Sequence, residues 1–180
     1  NVKITYPEDI IYFKIYKKPE TKSGIGYDIH QINKNTKTGL KLCGIKIPFS
    51  KLVGHSDADV GLHAICDSIF GALSMRDIGY HFPNNSKWKN TDSSKFVIYC
   101  RNKLIEKGFS ITNLDINIIA EKPKISRYVN LMKKRIGELL IIKTDIISVK
   151  ATTNEKIGFI GNGEGIAAEA IVQISNEINN

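Results

Sequence analysis

An α+β layer fold is predicted for this chain: one domain in which a mixed β-sheet carries helices packed on one face. Three observations lead there. Strand-like and helix-like hydrophobic periods interleave from Ile25 to Ile174. No repeat or internal linker divides them. The 180 residues, 42% of them hydrophobic, are enough to bury one substantial core.

The elements follow in order. Residues 1–22 mix Tyr, Ile, Lys and Glu without a period and are read as an N-terminal extension, with the core domain starting at Ser23 and running to residue 180. Ile25 to Ile32 alternates as a strand, Gln31 to Lys41 is a polar hairpin loop, and Leu40 to Pro48 is the returning strand. A helix is expected from Asp57 to Leu73, with Val60, Ala64, Ile65, Ile69 and Ala72 as its apolar face. Ser56 followed by Asp59 reads as its capping box, Asp standing in for Glu or Gln. Ser74 to Thr91 is long and irregular, rich in turn-formers. A second helix spans Asp92 to Lys107 and stops at Gly108. Ser110 to Glu121 alternates as a strand, Ile125 to Ile141 has helical spacing, and Ile146 to Thr152 is a further strand. Ile166, Ala168, Ala170, Val172 and Ile174 mark the last one.

Composition narrows the function. No apolar run approaches the roughly 20 residues that span a bilayer. The net charge is +8, yet the lysines are scattered and form no nucleic-acid-binding motif; a solvated basic surface accounts for them. Neither a membrane nor a nucleic acid is expected as a partner. Cys43, Cys66 and Cys100 are odd in number and form no C-x-x-C pair, so free thiols in a reducing compartment are expected. The first residue is Asn rather than Met, which reads as a trimmed chain whose targeting peptide would already be gone.

The chemistry concentrates in Val53 to Ala64, which holds two of the four histidines, His55 and His63, around Ser56, Asp57 and Asp59. A helix opening there would offer orphan N–H groups as an anion site beside His55. Taken alone, such histidines are more often packed or solvated, and such aspartates only caps. A second cluster changes that balance. Alternation places Asp28 and His30 on one strand face, and with His63 they make a two-histidine, one-carboxylate set, the ligand count of a catalytic zinc site with its fourth position open. Ala120 to Lys124 and Lys150 to Lys156 end two strands with lysines, amides and hydroxyls suited to phosphate or base edges, or else form ordinary exposed turns. Glu155 is a candidate Mg²⁺ ligand. The glycine-rich run Gly158 to Gly165 opens no helix and is weak as a phosphate loop.

GIGYDIH, GHSDADVGLHA, DIG with a nearby FP, AEKPK and KATTNEKIGFIGNGEGIAAEA stand in the order and at the intervals of the 2-C-methyl-D-erythritol 2,4-cyclodiphosphate synthase family, which the chain resembles from Ser23 onward. The resemblance implies a phosphorus–oxygen lyase of non-mevalonate isoprenoid biosynthesis. It would convert 4-diphosphocytidyl-2-C-methyl-D-erythritol 2-phosphate to the cyclic 2,4-diphosphate and release CMP. It further implies a homotrimer with active sites between subunits, one Zn²⁺ per subunit on Asp28, His30 and His63, and Mg²⁺ or Mn²⁺ with the substrate diphosphate at Glu155. His55 and Thr153 match the transition-state residues. Ser56, Asp77 and Gly79 match contacts on the methylerythritol phosphate side. Ala120 to Lys124, with Pro123 among them, and Thr152 to Glu155, with Thr153 among them, match the cytidine diphosphate pocket, and Asp28, His30, Ile78, Phe82, Ile125, Ala151 and Phe159 are carried over as further substrate-binding positions.

Three features depart from the family pattern. Asn84, Asn85 and Ser86 replace acidic residues after Phe82-Pro83, in a loop one residue short. Asn162 replaces a commonly basic residue near the trimer axis, where relatives have been proposed to hold an anionic isoprenoid diphosphate. Residues 1–22 have no counterpart in the pattern and read as a leader remnant, placing the protein in a plastid-like organelle (apicoplast or chloroplast), or in the cytoplasm if they are not one. Two rivals remain: a zinc phosphohydrolase using the same ligands to activate water, and a non-enzymatic basic binding module with salt-dependent affinity.

Overall fold

The computed structural model describes residues 5–8 and 19–176. Residues 1–4 and 9–18 of the expected extension lie outside them, as do 177–180. Six strands are described: β1 (Thr21–Gln31), β2 (Gly39–Leu42), β3 (Ile45–Ser50), β4 (Ser110–Ile119), β5 (Ile147–Thr152) and β6 (Gly165–Ser175). The helices are α1 (Val60–Ala72), the single turn α2 (Ile78–His81), α3 (Ser94–Glu106), α4 (Val129–Leu140) and the single turn α5 (Gly158–Gly161). None is long and apolar enough to cross a membrane.

The main sheet has the order β1-β6-β4-β5, antiparallel except for the β4–β5 pair. Alternation explains how it packs. Ile166, Ala168, Ala170, Val172 and Ile174 of β6 and Leu114, Ile116 and Ile118 of β4 turn inward and are fully buried, together with Ile65 and Ile69 of α1 and Met132 and Ile136 of α4. On the opposite face Ile25, Tyr27 and Ile171 remain 68%, 50% and 49% exposed. The helices therefore cover one face, as expected from the sequence.

Two expectations fail. Leu40 to Pro48 does not return along β1, whose partner is β6; it is itself a hairpin, β2–β3, forming a separate two-stranded sheet. The cause is the turn at Cys43 and Gly44, with φ of 51° and 77°, the pair of left-handed residues that a tight type I′ hairpin requires. The first helix begins at Val60 rather than Asp57. Ala58 has φ of 56°, outside the helical region, and Asp59 is the N-cap, its carboxylate accepting from Leu62 N at 3.0 Å. Ser56 therefore caps nothing in α1.

Asp59 also joins the hairpin to α1. It is fully buried and accepts from Cys43 N at 2.7 Å and Gly44 N at 2.6 Å, tying the hairpin turn to the helix start. Burial lifts its carboxyl above the ordinary range, although the Gly44 and Leu62 amides oppose that rise. Because both oxygens accept from backbone N–H groups, an amide in its place must set a donor against a donor. Asp59→Asn is expected to lower stability by about 1–3 kcal/mol in urea unfolding.

Candidate metal centre

On the face of β1 that meets α1, the side chains run Gly24, Gly26, Asp28, His30. The two glycines let the helix backbone lie against the strand: a Cβ at Gly26 would stand 2.6 Å from Ser68 N and closer still to the Ala64 carbonyl. That proximity brings His63, on the first turn of α1, over Asp28 and His30. The resulting triangle has edges of 2.8 Å (His63 Nδ1 to Asp28 Oδ2), 3.0 Å (His30 Nε2 to Asp28 Oδ2) and 3.3 Å (His30 Nε2 to His63 Nδ1). In a tetrahedral zinc site with bonds of about 2.0–2.1 Å, ligand atoms stand roughly 3.3 Å apart, so the donor set fits a small divalent cation.

The electrostatics agree with that fit. Burial alone would raise the Asp28 carboxyl, but His30 and His63 beside it hold it well below the usual carboxylate range. For His63, burial disfavours the imidazolium, yet Asp28 outweighs it and the ring is pushed up. The three side chains thus form a cation-seeking cluster at the end of β1.

Several other expected site residues lie close by. Gly54 sits against His30, a Cβ there standing 3.2 Å from His30 Cε1, so the loop bearing His55 and Ser56 runs beside the triad. Ser56 Oγ is 3.2 Å from His63 Nε2. Asp77, Ile78 and Gly79 open α2, tethered to α1 by Ile78 N donating to Asp67 Oδ1 at 2.6 Å. With Ile25, Gly26, Tyr27 and Asp67, Asp77 lines a cavity of about 540 Å³ along the free edge of β1. Phe159 and His30 line another of about 340 Å³. Phe82 stacks on Phe96 at 4.2 Å between ring centroids, within the packing behind His63.

The strand-end residues form a second cluster. Ala120 N donates to Thr152 O, and the Glu121 carboxylate accepts from Asn154 N at 2.9 Å and Lys156 N at 3.3 Å. Thr153 Oγ1 donates to Glu155 Oε1 at 2.7 Å. Pro123 follows a cis peptide bond, Ile125 is buried beneath, and Lys124, Ala151, Thr152, Thr153 and Glu155 are exposed. This cluster lies at the same end of the sheet as the triad, but β5 stands three strands from β1, about 14 Å at roughly 4.8 Å per strand. One chain does not bring the two clusters into contact.

The anion site expected at the start of α1 is absent, because the Asp59 carboxylate already occupies the helix mouth. Cys66 is fully buried and is not among the donor side chains that gather at the triad; burial and the neighbouring Cys100 push its thiol well up. His81 Nε2 donates to Met75 O at 2.7 Å, and its ring stacks on Phe70. Sequence reasoning overlooked Ser93, whose Oγ lies 2.8 Å from His63 Nε2. The only local signal was its place in Thr91-Asp92-Ser93-Ser94, which reads as a helix start.

Fold and site together define an α+β domain with a histidine–carboxylate triad suited to a divalent metal, built between an edge strand and the helix packed on it. The sequence model of the YgbB family matches residues 21–175, and the chain belongs to that family. It is 51% identical to 2-C-methyl-D-erythritol 2,4-cyclodiphosphate synthase of Ehrlichia canis over 161 residues, 86% of this chain and 93% of the relative. It is 44% identical to the bifunctional enzyme IspD/IspF of Gluconobacter oxydans over 178 residues, 97% of this chain and 45% of the relative. The chain thus spans about half the length of the bifunctional relatives it matches. Among solved structures, IspF of Plasmodium falciparum in a CDP complex is 41% identical with a TM-score of 0.76, covering 86% of this chain and 95% of that one.

Proposed function

We propose that this chain closes 4-diphosphocytidyl-2-C-methyl-D-erythritol 2-phosphate into 2-C-methyl-D-erythritol 2,4-cyclodiphosphate with release of CMP, in non-mevalonate isoprenoid biosynthesis. The observation that carries the reading is the Asp28–His30–His63 triangle on a chain so similar to enzymes of that name. An oxygen of the substrate's 2-phosphate bonds to the β-phosphorus, the bond from that phosphorus to the oxygen shared with the α-phosphate breaks, and CMP departs with the electron pair. The nucleophile is already anionic, so no general base is needed; positioning and charge neutralisation suffice.

Asp28, His30 and His63 would hold Zn²⁺, which when bound supplies Lewis acidity and a template for the β-phosphate. Glu155 would hold Mg²⁺ with the diphosphate, its carboxylate set by Thr153. Asp77 lines the cavity along β1, where the methylerythritol phosphate would rest, and Gly79 follows it in α2. His55, Ser56, Ile78 and Phe82 would serve that side, Phe159 would meet the substrate beside His30, and Ala120, Pro123, Lys124, Ile125, Ala151 and Thr152 would frame the cytidine diphosphate. The CDP complex of the Plasmodium falciparum relative supports a nucleotide ligand.

Two features support a homotrimer with sites between neighbours. The helix-free sheet face leaves Ile25, Tyr27 and Ile171 exposed, and the two clusters stand too far apart in one chain to share a diphosphate. A central cavity in such a trimer would receive no charge from Asn162 for an isoprenoid diphosphate. Residues 1–22 stand as a proposed leader remnant for a plastid-like organelle. A match to 97% of the chain nonetheless takes in most of them in the bifunctional relatives, so import of a fluorescent fusion carrying residues 1–22 is the discriminating test.

Phosphorus NMR of the chain with substrate, Zn²⁺ and Mg²⁺ tests the activity, with His63→Ala and chelator-treated protein as controls. A cyclic diphosphate and CMP, lost in both controls, is the expected outcome; linear phosphates would replace the reading with a hydrolase. Thr153→Ala, at an exposed position, is expected to lower kcat by about 10²–10³-fold without loss of fold, the effect of removing one transition-state donor.

A further inference from the structure

We infer that Ser93, oriented by Asp57 and Lys41, is a positioning residue that fixes the tautomer of His63 and so aims its Nδ1 lone pair at the metal. The inference rests on the metal centre of the proposed function and not on the identity of the substrate.

Donor and acceptor accounting carries it. His63 turns Nδ1 toward Asp28 and His30, and turns Nε2 away from them, to Ser93 Oγ at 2.8 Å. Ser93 Oγ in turn contacts Asp57 Oδ1, and Ser93 N donates to Asp57 Oδ2 at 3.2 Å. A carboxylate only accepts, so the single hydroxyl hydrogen of Ser93 points at Asp57. The oxygen of Ser93 then has only lone pairs to offer His63. Nε2 must carry a hydrogen, which leaves Nδ1, the nitrogen that faces Asp28 and His30, as the one that a cation held by the triad would take.

The far end of the relay is anchored. Lys41 Nζ lies 2.9 Å from Asp57 Oδ2 and 2.9 Å from Asp92 Oδ2, so a lysine on β2 anchors the carboxylate that Ser93 faces. Ser93 is fully buried at the N-terminus of α3, and Asp57 N donates to Thr91 O at 3.1 Å, so both groups are fixed by backbone as well as by each other. Ser56 Oγ also approaches Nε2, at 3.2 Å, but it accepts from Ala58 N and touches no carboxylate, so its hydroxyl hydrogen is not directed. Partners of this kind beyond the metal ligands raise a histidine's basicity and set its orientation, and losing one typically costs about 10–100-fold in metal affinity.

The relay also gives the β2–β3 hairpin a role at the site. Lys41 belongs to that hairpin, whose turn Asp59 ties to the start of α1, the helix that bears His63. Two separate tethers from one hairpin therefore converge on a single imidazole.

The test uses the purified full chain and zinc alone. Zinc affinity is measured by competition with a chromophoric chelator for wild type, Ser93→Ala and Asp57→Asn, with circular dichroism to confirm the fold. Both variants are expected to bind zinc about 10–100-fold more weakly. Asp57→Asn keeps the shape but can donate to Ser93 Oγ, which turns the hydroxyl hydrogen onto Nε2 and favours the wrong tautomer. Nitrogen-15 spectra of histidine-labelled, zinc-loaded protein should show a protonated, hydrogen-bonded Nε2 on His63 in the wild type that shifts in both variants. Unchanged affinity and unchanged His63 resonances in folded variants would overturn the relay. Should Ser93→Ala not fold, Asp57→Asn alone decides, because it alters one atom of a partly exposed side chain. No substrate enters either readout, so a failure of the proposed cyclase reaction leaves this test intact and is distinguishable from a failure of the relay.

Discussion

Asp28→Ala is expected to abolish zinc binding and to cut turnover by about 10⁴-fold or more, a barrier increase of at least roughly 5 kcal/mol. Asp28 is the hub of the site: its Oδ2 is the one atom within 3.0 Å of both imidazoles, and it supplies the only negative charge of the triad. Removing it leaves two ring nitrogens 3.3 Å apart with nothing between them to attract a dication. Metal binding, positioning of the reacting phosphates and charge neutralisation fail together, and alignment alone can account for about 7–11 kcal/mol of a barrier. The variant should keep its fold, since among the described residues the Asp28 carboxylate meets only the two histidines and it lies near the end of its strand. Thermal unfolding with and without zinc checks the metal step separately from catalysis. A single-site ligand at a hundred times its Kd stabilises the native state by about 2.7 kcal/mol, and that increment should vanish in Asp28→Ala. A variant that kept its zinc-dependent stabilisation would place the metal elsewhere.

What could be read from the sequence divides along a physical line. Asp28 and His30 were legible because a strand fixes the relation of residues two apart, and the apolar face of α1 was legible because a helix fixes that of residues three and four apart. Whatever depends on one segment meeting a distant one was not. Asp59 looked like part of a local capping box, whereas two of its three partners lie in a hairpin turn 15 and 16 residues away. Cys43 and Gly44 hid that turn because nothing nearby marks a left-handed cysteine, and so the hairpin passed for a single strand returning along β1. Ser93 had no signal at all as a partner of His63, being 30 residues downstream and at the start of another helix. The family resemblance assigned the triad, and the structure adds how it is built. The glycines of GIGYDIH read as ordinary strand residues until the helix backbone is seen lying on them.

That close approach makes Gly26→Ala the second large effect, although the substitution is chemically slight. The added methyl group would stand 2.6 Å from Ser68 N and nearer to the Ala64 carbonyl, and both are helix backbone, which cannot rotate aside as a side chain would. Gly26 pairs with Ala170 in the middle of the β1–β6 ladder, so the strand cannot retreat either. Helix α1 must therefore lift off the sheet, straining a core in which Ile65 and Ile69 are fully buried, at a cost of about 3 kcal/mol or more, the upper range for overpacking. His63 rides on that helix while Asp28 and His30 stay on the strand, so the triangle opens by the same displacement. A shift near 1 Å at a reacting centre can cost about 10²-fold in rate. Gly71→Ala on the same helix supplies the contrast. Its nearest neighbour would be Ile25 O at 3.6 Å, an ordinary contact, and a helical Gly→Ala exchange stabilises by up to about 1 kcal/mol. Urea unfolding and zinc titration of the two variants should therefore move in opposite directions for stability, with zinc affinity falling only in Gly26→Ala. If Gly26→Ala bound zinc like the wild type, strand–helix contact would not be what sets the distance between the ligands.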